Sequence, residues 1–179
     1  MSRADCIRLA IVGLLLAGVM TVIPAGGEEP ASPIGPINGL REHHELAPVA
    51  VSTALDDVAR RYLETMLAAR CLCPVEDGEA GSERLLADVR SALGGDAALV
   101  DAGLVVGYDH PLDAAMRTTI FDPANSAAIL GARMTQAGIA TGVVEVGESW
   151  LVPPPGRSGP AIELAGYTLV VIVMAGAGA

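Results

Sequence analysis

From Leu164 to Ala179 the chain carries 16 residues without a charge, and at their centre stands Thr168-Leu169-Val170-Val171-Ile172-Val173. A strand with one wet face alternates apolar and polar side chains. A strand that does not alternate has to bury both faces. This run therefore asks for a central strand with other elements layered on each side of it. The rival reading is a C-terminal membrane anchor. An anchor wants about 20 apolar residues and usually basic flanks, and Glu163 stands at this edge instead.

The layers are legible upstream. Leu55, Val58, Ala59, Tyr62, Leu63, Met66 and Leu67 recur at helical spacing, with Ser52 as a candidate N-cap, Asp56 and Asp57 in the first turn and Arg70 near the end. A shorter helix is expected over Ile37 to Glu45, followed by an extended link through Leu46-Ala47-Pro48-Val49. After a polar loop from Pro74 to Gly81, Ser82 can cap a third helix carrying Leu85, Leu86, Val89 and Leu93, stopped by Gly94-Gly95. Leu104-Val105-Val106 centres a strand over Ala98 to Gly107. Pro111 suits the first turn of a helix reaching Ile120, with Asp109 or His110 before it, and Pro123 opens another short helix through Leu130. Strands are expected over Gly138 to Val146, extended or paired by Ser149 to Val152, and over Leu164 to Ala175, with the proline-rich loop Pro153 to Pro160 between. Helices first and strands later give an α+β layered domain.

The N-terminus reads as an export signal. Arg3 and Arg8 precede 14 uncharged residues from Leu9 to Val22, and Ala25 offers a small residue for cleavage before Gly26. A retained anchor is the alternative, but the run is short of the roughly 20 residues a spanning helix needs. This divides the chain into a signal peptide over 1–25, a linker over 26–36 rich in Pro and Glu, and a domain over 37–176. Cleavage removes Arg3, Arg8 and Asp5, so 11 bases and 21 acids become 9 and 20, and the formal charge deepens from −10 to −11. Every base is Arg, and there is no Lys for a Schiff base or a phosphate loop. An acidic chain with 3% aromatic residues lacks both the basic face that nucleic acid requires and the stacking platforms that single strands use.

Candidate chemistry is sparse. No GxGxxG, Walker A, HExxH or GxSxG motif occurs. Cys71 and Cys73 remain after export. A local or intermolecular disulfide, partly buried thiols, and a redox or metal role are all open to them, and a bridge between the two closes a very small ring. His43, His44 and His110 read as solvated, capping or loop residues before they read as ligands. The acids between Glu76 and Glu83, like Glu28-Glu29, lack EF-hand spacing. No cofactor and no metal are expected.

Four segments in order carry a family resemblance. Asn38-Gly39-Leu40-Arg41 leads into Leu46-Ala47-Pro48-Val49. Cys73-Pro74-Val75-Glu76-Asp77-Gly78 leads into Glu83-Arg84-Leu85. Asp122-Pro123-Ala124-Asn125-Ser126-Ala127-Ala128-Ile129-Leu130 precedes Ala137 to Val143, and Tyr167 to Met174 closes the series. Together they resemble a divergent bacterial member of the CAP superfamily, which holds the cysteine-rich secretory, antigen five and pathogenesis-related proteins. The resemblance covers Ile37 to Met174. It implies an α/β/α sandwich with a central antiparallel or mixed sheet, and a cleft that in many members gathers histidines and glutamates. Here the two histidine positions hold Cys73 and Asn125, the latter beside Ser126, and the glutamate position falls near Asp101-Ala102. Asn cannot act as a base, and neutral imidazole is the usual proton shuttle near neutral pH.

The resemblance thus implies an exported, non-enzymatic module that binds a ligand at the cell surface or outside the cell, with lipid and peptide as the classes it suggests. Its cleft would hold Cys73, Asp101, Asn125 and Ser126. Two alternatives remain: a divergent secreted hydrolase with Cys73 as nucleophile and Asp101 or a nearby His as partner, and a structural protein of the cell envelope. The partner's identity and the oligomeric state are not written in the sequence.

Overall fold

The structure is a computed structural model, and it describes residues 34–72, 79–95, 99–123, 125–144, 149–151, 161–163 and 166–177. The chain divides into two units, Met1–Ser32 and Pro33–Ala179, and all described residues belong to the second. The signal-peptide reading and Cys73 therefore lie outside the described residues. In chain order the elements are α1 (Ile34–His43), β1 (Ala50–Val51), α2 (Thr53–Ala69), α3 (Glu79–Ala92), β2 (Leu99–Asp109), α4 (Leu112–Phe121), α5 (Ser126–Ile129), β3 (Met134–Val143), β4 (Ser149–Leu151), β5 (Ala161–Glu163) and β6 (Thr168–Ala177). No described helix is long and apolar enough to cross a membrane.

The sheet is mixed, in the order β1-β3-β6-β2, with β1 parallel to β3 and both β3 and β2 antiparallel to β6. The uncharged run becomes β6, paired along both edges, and Leu169 to Ala175 are buried without exception. Its alternation sorts the core into two. Leu169, Val171, Val173 and Ala175 meet α2 and α3 through Leu55, Val58, Tyr62, Met66, Leu85 and Val89. Val170, Ile172 and Met174 meet α1, α4 and α5 through Ile37, Met116, Ile120 and Ile129. Helices thus cover both faces, and the architecture is the α/β/α sandwich of an α+β protein. Burying one aliphatic side chain stabilises by about 1.5–3 kcal/mol, so a doubly covered strand is the strongest organiser in the molecule.

Several boundaries shift from the sequence expectation. Helix α1 begins at Ile34, inside the segment 26–36 read as a linker, with Pro36 in its first turn, where a missing N–H costs no hydrogen bond. Helix α3 begins at Glu79 rather than at Ser82, so Gly81 lies inside it; packing of Leu85 and Val89 outweighs the weak helix propensity of glycine. Strand β2 extends to Asp109, and β3 starts at Met134 and ends at Val143, because each follows its register on β6. Strand β6 starts at Thr168, after Gly166 at φ 75°. Helix α5 keeps only Ser126–Ile129 of the stretch expected from Pro123. Strand β4 does not join β3 but pairs with β5 in a separate two-stranded sheet, which sets Trp150 into the α2/α3 core with no exposed surface.

Glycine decides how closely the layers meet. A Cβ at Gly138 on β3 would run into the backbone of Leu55 and Asp56, so the first turn of α2 lies directly on the strand. A Cβ at Gly107 on β2 would run into Thr119 of α4.

Candidate functional site

The first motif residues are fasteners. Arg41, on the inner side of α1, is fully buried, and its guanidinium donates to four main-chain carbonyls: Ala47 at 2.8 Å, Ile129 at 2.6 Å, Gly131 at 3.1 Å and Met134 at 3.0 Å. Burial lowers its pKa, and none of the four partners is a carboxylate. The planar fork suits this task, because its donors are fixed in direction. One turn earlier, Asn38 donates to the Val49 carbonyl at 3.1 Å and accepts the Val49 N–H at 2.8 Å, as a neighbouring strand would. The pair ties α1 to the extended link and to the α5–β3 turn.

The residues expected to line a cleft are placed less favourably for chemistry. The Asn125 side-chain amide donates to the carbonyl of Thr119 at 2.9 Å, closing the end of α4, and at 3.5 Å to that of Val106 on β2. Ser126 donates to Pro123 O at 2.7 Å within its own turn. Asp101 is exposed near the start of β2, opposite Gly176. It lies five positions from Val106, about 16 Å along the strand, so the structure does not bring Asp101 and Asn125 side by side. On the stretch of β2 facing α5 stands Gly103, where an added Cβ would come within 2.8 Å of the Ala128 Cβ; that space is already filled. Cys71 is buried and disulfide-bonded, with its partner outside the described residues. Among the described residues no three His, Cys, Asp or Glu side chains gather as a metal site.

A polar corner stands at the far end of β2, and no sequence motif marks it. Asp109 accepts the main-chain N–H of His110 at 2.8 Å and the Thr118 hydroxyl at 2.9 Å. These two donors, the first the larger influence, hold its carboxyl below the usual 3.8. The exposed His110 ring meets Tyr167 edge-on at 5.3 Å, and Tyr108 lies 5.9 Å from Tyr167. The Asp-His-Pro triplet reads as a helix start with Pro111 in the first turn; the structure places Pro111 one step earlier, as the N-cap of α4. The ring contacts depend on the β2–β6 register, which no local signal encodes. The carboxylate binds the His110 backbone rather than its imidazole, so the corner is not a catalytic dyad. His43 and His44 form an exposed edge-to-face pair at the end of α1. Across the other face of the sheet, the buried Tyr62 hydroxyl donates to Asp88 at 3.1 Å, joining α2 to α3. Burial first and that carboxylate second push its pKa up to about 12.

No protein-family model matches the chain, and no curated protein matches it. Among solved structures it is similar to an outer surface protein from Borrelia burgdorferi, with a TM-score of 0.51 at 12% identity, over 79% of this chain and 87% of that one. At that identity the likeness is one of fold.

Proposed function

We propose that the chain is an exported CAP-like module that acts at the cell surface or outside the cell by binding a ligand or partner rather than by catalysis. The observation that carries the reading is a fold shared with an outer surface protein across most of both chains, joined to an N-terminal segment with the features of a leader ending at Ala25. The CAP assignment rests on Asn38, Arg41 and the segments that follow them in order. The two motif residues bind main chain at Val49, Ala47, Ile129 and Met134, as residues retained for the scaffold would. The non-catalytic reading is supported by Asn125: a side chain that cannot take a proton stands at the family's histidine position, and its amide is spent on backbone carbonyls.

The test is expression of the full chain with its own leader in a bacterial host, followed by fractionation, N-terminal sequencing and protease treatment of intact cells. A chain beginning at Gly26 and recovered from the envelope or medium supports the reading; an uncleaved chain in the cytoplasmic fraction overturns it. Alkylation of the folded protein addresses catalysis. Cys71 is disulfide-bonded and Cys73 is the one other cysteine after Gly26, so alkylation follows mild reduction: slow modification of Cys73 then fits a binding module, whereas fast modification near neutral pH would mark a reactive thiolate and return the hydrolase reading.

A further inference from the structure

Strand β2 is an edge. It pairs with β6 on one side through Leu99 and Asp101 to Asp109, and among the described residues no strand pairs with the other. Leu104, Val106 and Tyr108 are only half-buried, whereas the β6 residues opposite them, Val173, Val171 and Leu169, are fully buried. The carbonyl of Val106 meets the Asn125 amide, so it is turned away from β6. In a strand the N–H and C=O of one residue point the same way and alternate along the chain. Ala102, Leu104 and Tyr108 therefore turn their main-chain groups outward as well. Between Asp101 and Asp109 there is no charge, no proline and no lysine, the devices that usually blunt an exposed edge.

We propose that this edge accepts an extended peptide strand with an apolar centre and a basic residue at each end. Charge decides against a second copy of the chain. The ladder is irregular between Leu99 and Asp101, so the regular edge runs from Asp101 to Asp109; the longest antiparallel pairing of that stretch with itself sets Asp101 of one copy against Asp109 of the other at both ends, and like charges directly opposite are destabilising. Asp109 stays ionised because the His110 N–H and Thr118 hydroxyl hold it so. The two carboxylates are eight residues apart, about 27 Å along the strand. A partner with cations at the same spacing meets both. Its apolar side chains would fall beside Leu104, Val106 and Tyr108 on the α2/α3 face and extend that core. The Asn125 amide lies on the outer side of Val106 at 3.5 Å, so a docked strand shares that carbonyl, which accepts twice, or displaces this long bond. This names a partner for the binding module proposed above, and it is measured on purified protein. Its failure leaves the export result standing, and failure of export leaves it intact.

The probe is the labelled nonapeptide Lys-Val-Thr-Val-Thr-Val-Thr-Val-Lys, titrated into the full chain by fluorescence anisotropy, with a Glu-ended peptide as control. The Lys-ended peptide is expected to bind about tenfold tighter than the control at low salt, with the margin shrinking as salt rises. Amide exchange should slow at Ala102, Leu104 and Tyr108. Asp101→Asn, at an exposed position, should narrow the margin several-fold without changing the unfolding curve. Equal binding of both peptides, no saturable binding, or protection elsewhere overturns the proposal. A dimer of the wild-type chain that is disrupted by Leu104→Pro would also overturn it, by giving the edge to a second copy.

Discussion

Asp56, in the first turn of α2, accepts the main-chain N–H of Ile139 at 2.8 Å, across 83 positions of sequence. Strand β1 is two residues long and ends opposite Ala137. The next outward N–H of β3 would face no strand, and the carboxylate takes it. The contact is possible because Gly138 lets the α2 backbone lie against the strand. Asp56→Ala is expected to destabilise by about 1–2 kcal/mol, since it leaves a half-buried donor unmatched. Asp56→Asn keeps an acceptor oxygen and should cost less than half of that. Urea unfolding of the two variants, with amide exchange read at Ile139, checks the order.

Gly138→Ala should be among the most damaging single-methyl changes in the domain, costing about 3 kcal/mol, because the added carbon meets main chain that cannot rotate away. Gly107→Ala meets a side chain, Thr119, whose hydroxyl is bonded to Ala115 O at 2.6 Å. It should cost less, and Gly107→Ala combined with Thr119→Ala, which removes the hydroxyl that the new carbon meets first, should recover part of the loss. Thermal unfolding of the three variants separates a backbone collision from a side-chain one.

Arg41→Leu removes the partner of four carbonyls at once and is expected to destabilise by about 4 kcal/mol. Arg41→Lys should recover less than half, because an ammonium cannot reach Ala47, Ile129 and Met134 from one position. A full recovery by Lys, measured by chemical denaturation, would show that charge rather than fork geometry matters there.

Two groups predict opposite pH limits. The depressed carboxyl of Asp109 contributes stability above its unfolded value of 3.8, and that contribution disappears as pH falls through the lower folded value. Thr118→Val should move the carboxyl titration, followed by NMR, back toward 3.8. The raised Tyr62 phenol contributes fully below its unfolded value of 10.0 and loses that contribution as pH rises toward about 12. Asp88→Asn should lower the Tyr62 titration followed by ultraviolet absorbance, and should remove part of the alkaline dependence.

Much of the architecture was legible because it is a matter of period and burial. The run ending at Val173 has no polar alternation, so it had to be central. The apolar spacing from Leu55 to Met66 had to be a helix lying on one face of the sheet, and that is how β6 and α2 stand. The site was far less legible. Asn125 read as a replaced cleft residue, yet whether its amide faces a ligand or the carbonyls of Thr119 and Val106 is fixed by how the α4–α5 turn sits beside β2. Trp150 and the short β4 read as an extension or a partner of β3, and the hairpin with β5 is set by a pairing that leaves no trace in local sequence.

By itself, then, the sequence determined which segments must be buried, which become helices, and that the polar residues Asn38 and Arg41 sit on one of them. Those are properties of one segment and its water. Tertiary structure alone decided what Arg41, Asp56 and Asp109 bind, and which strand was left as the edge. The bonds of Arg41 to Ile129, Gly131 and Met134 and of Asp56 to Ile139 need a donor and an acceptor brought within about 3 Å from separate elements, and that proximity exists only once β6 has gathered the layers around itself.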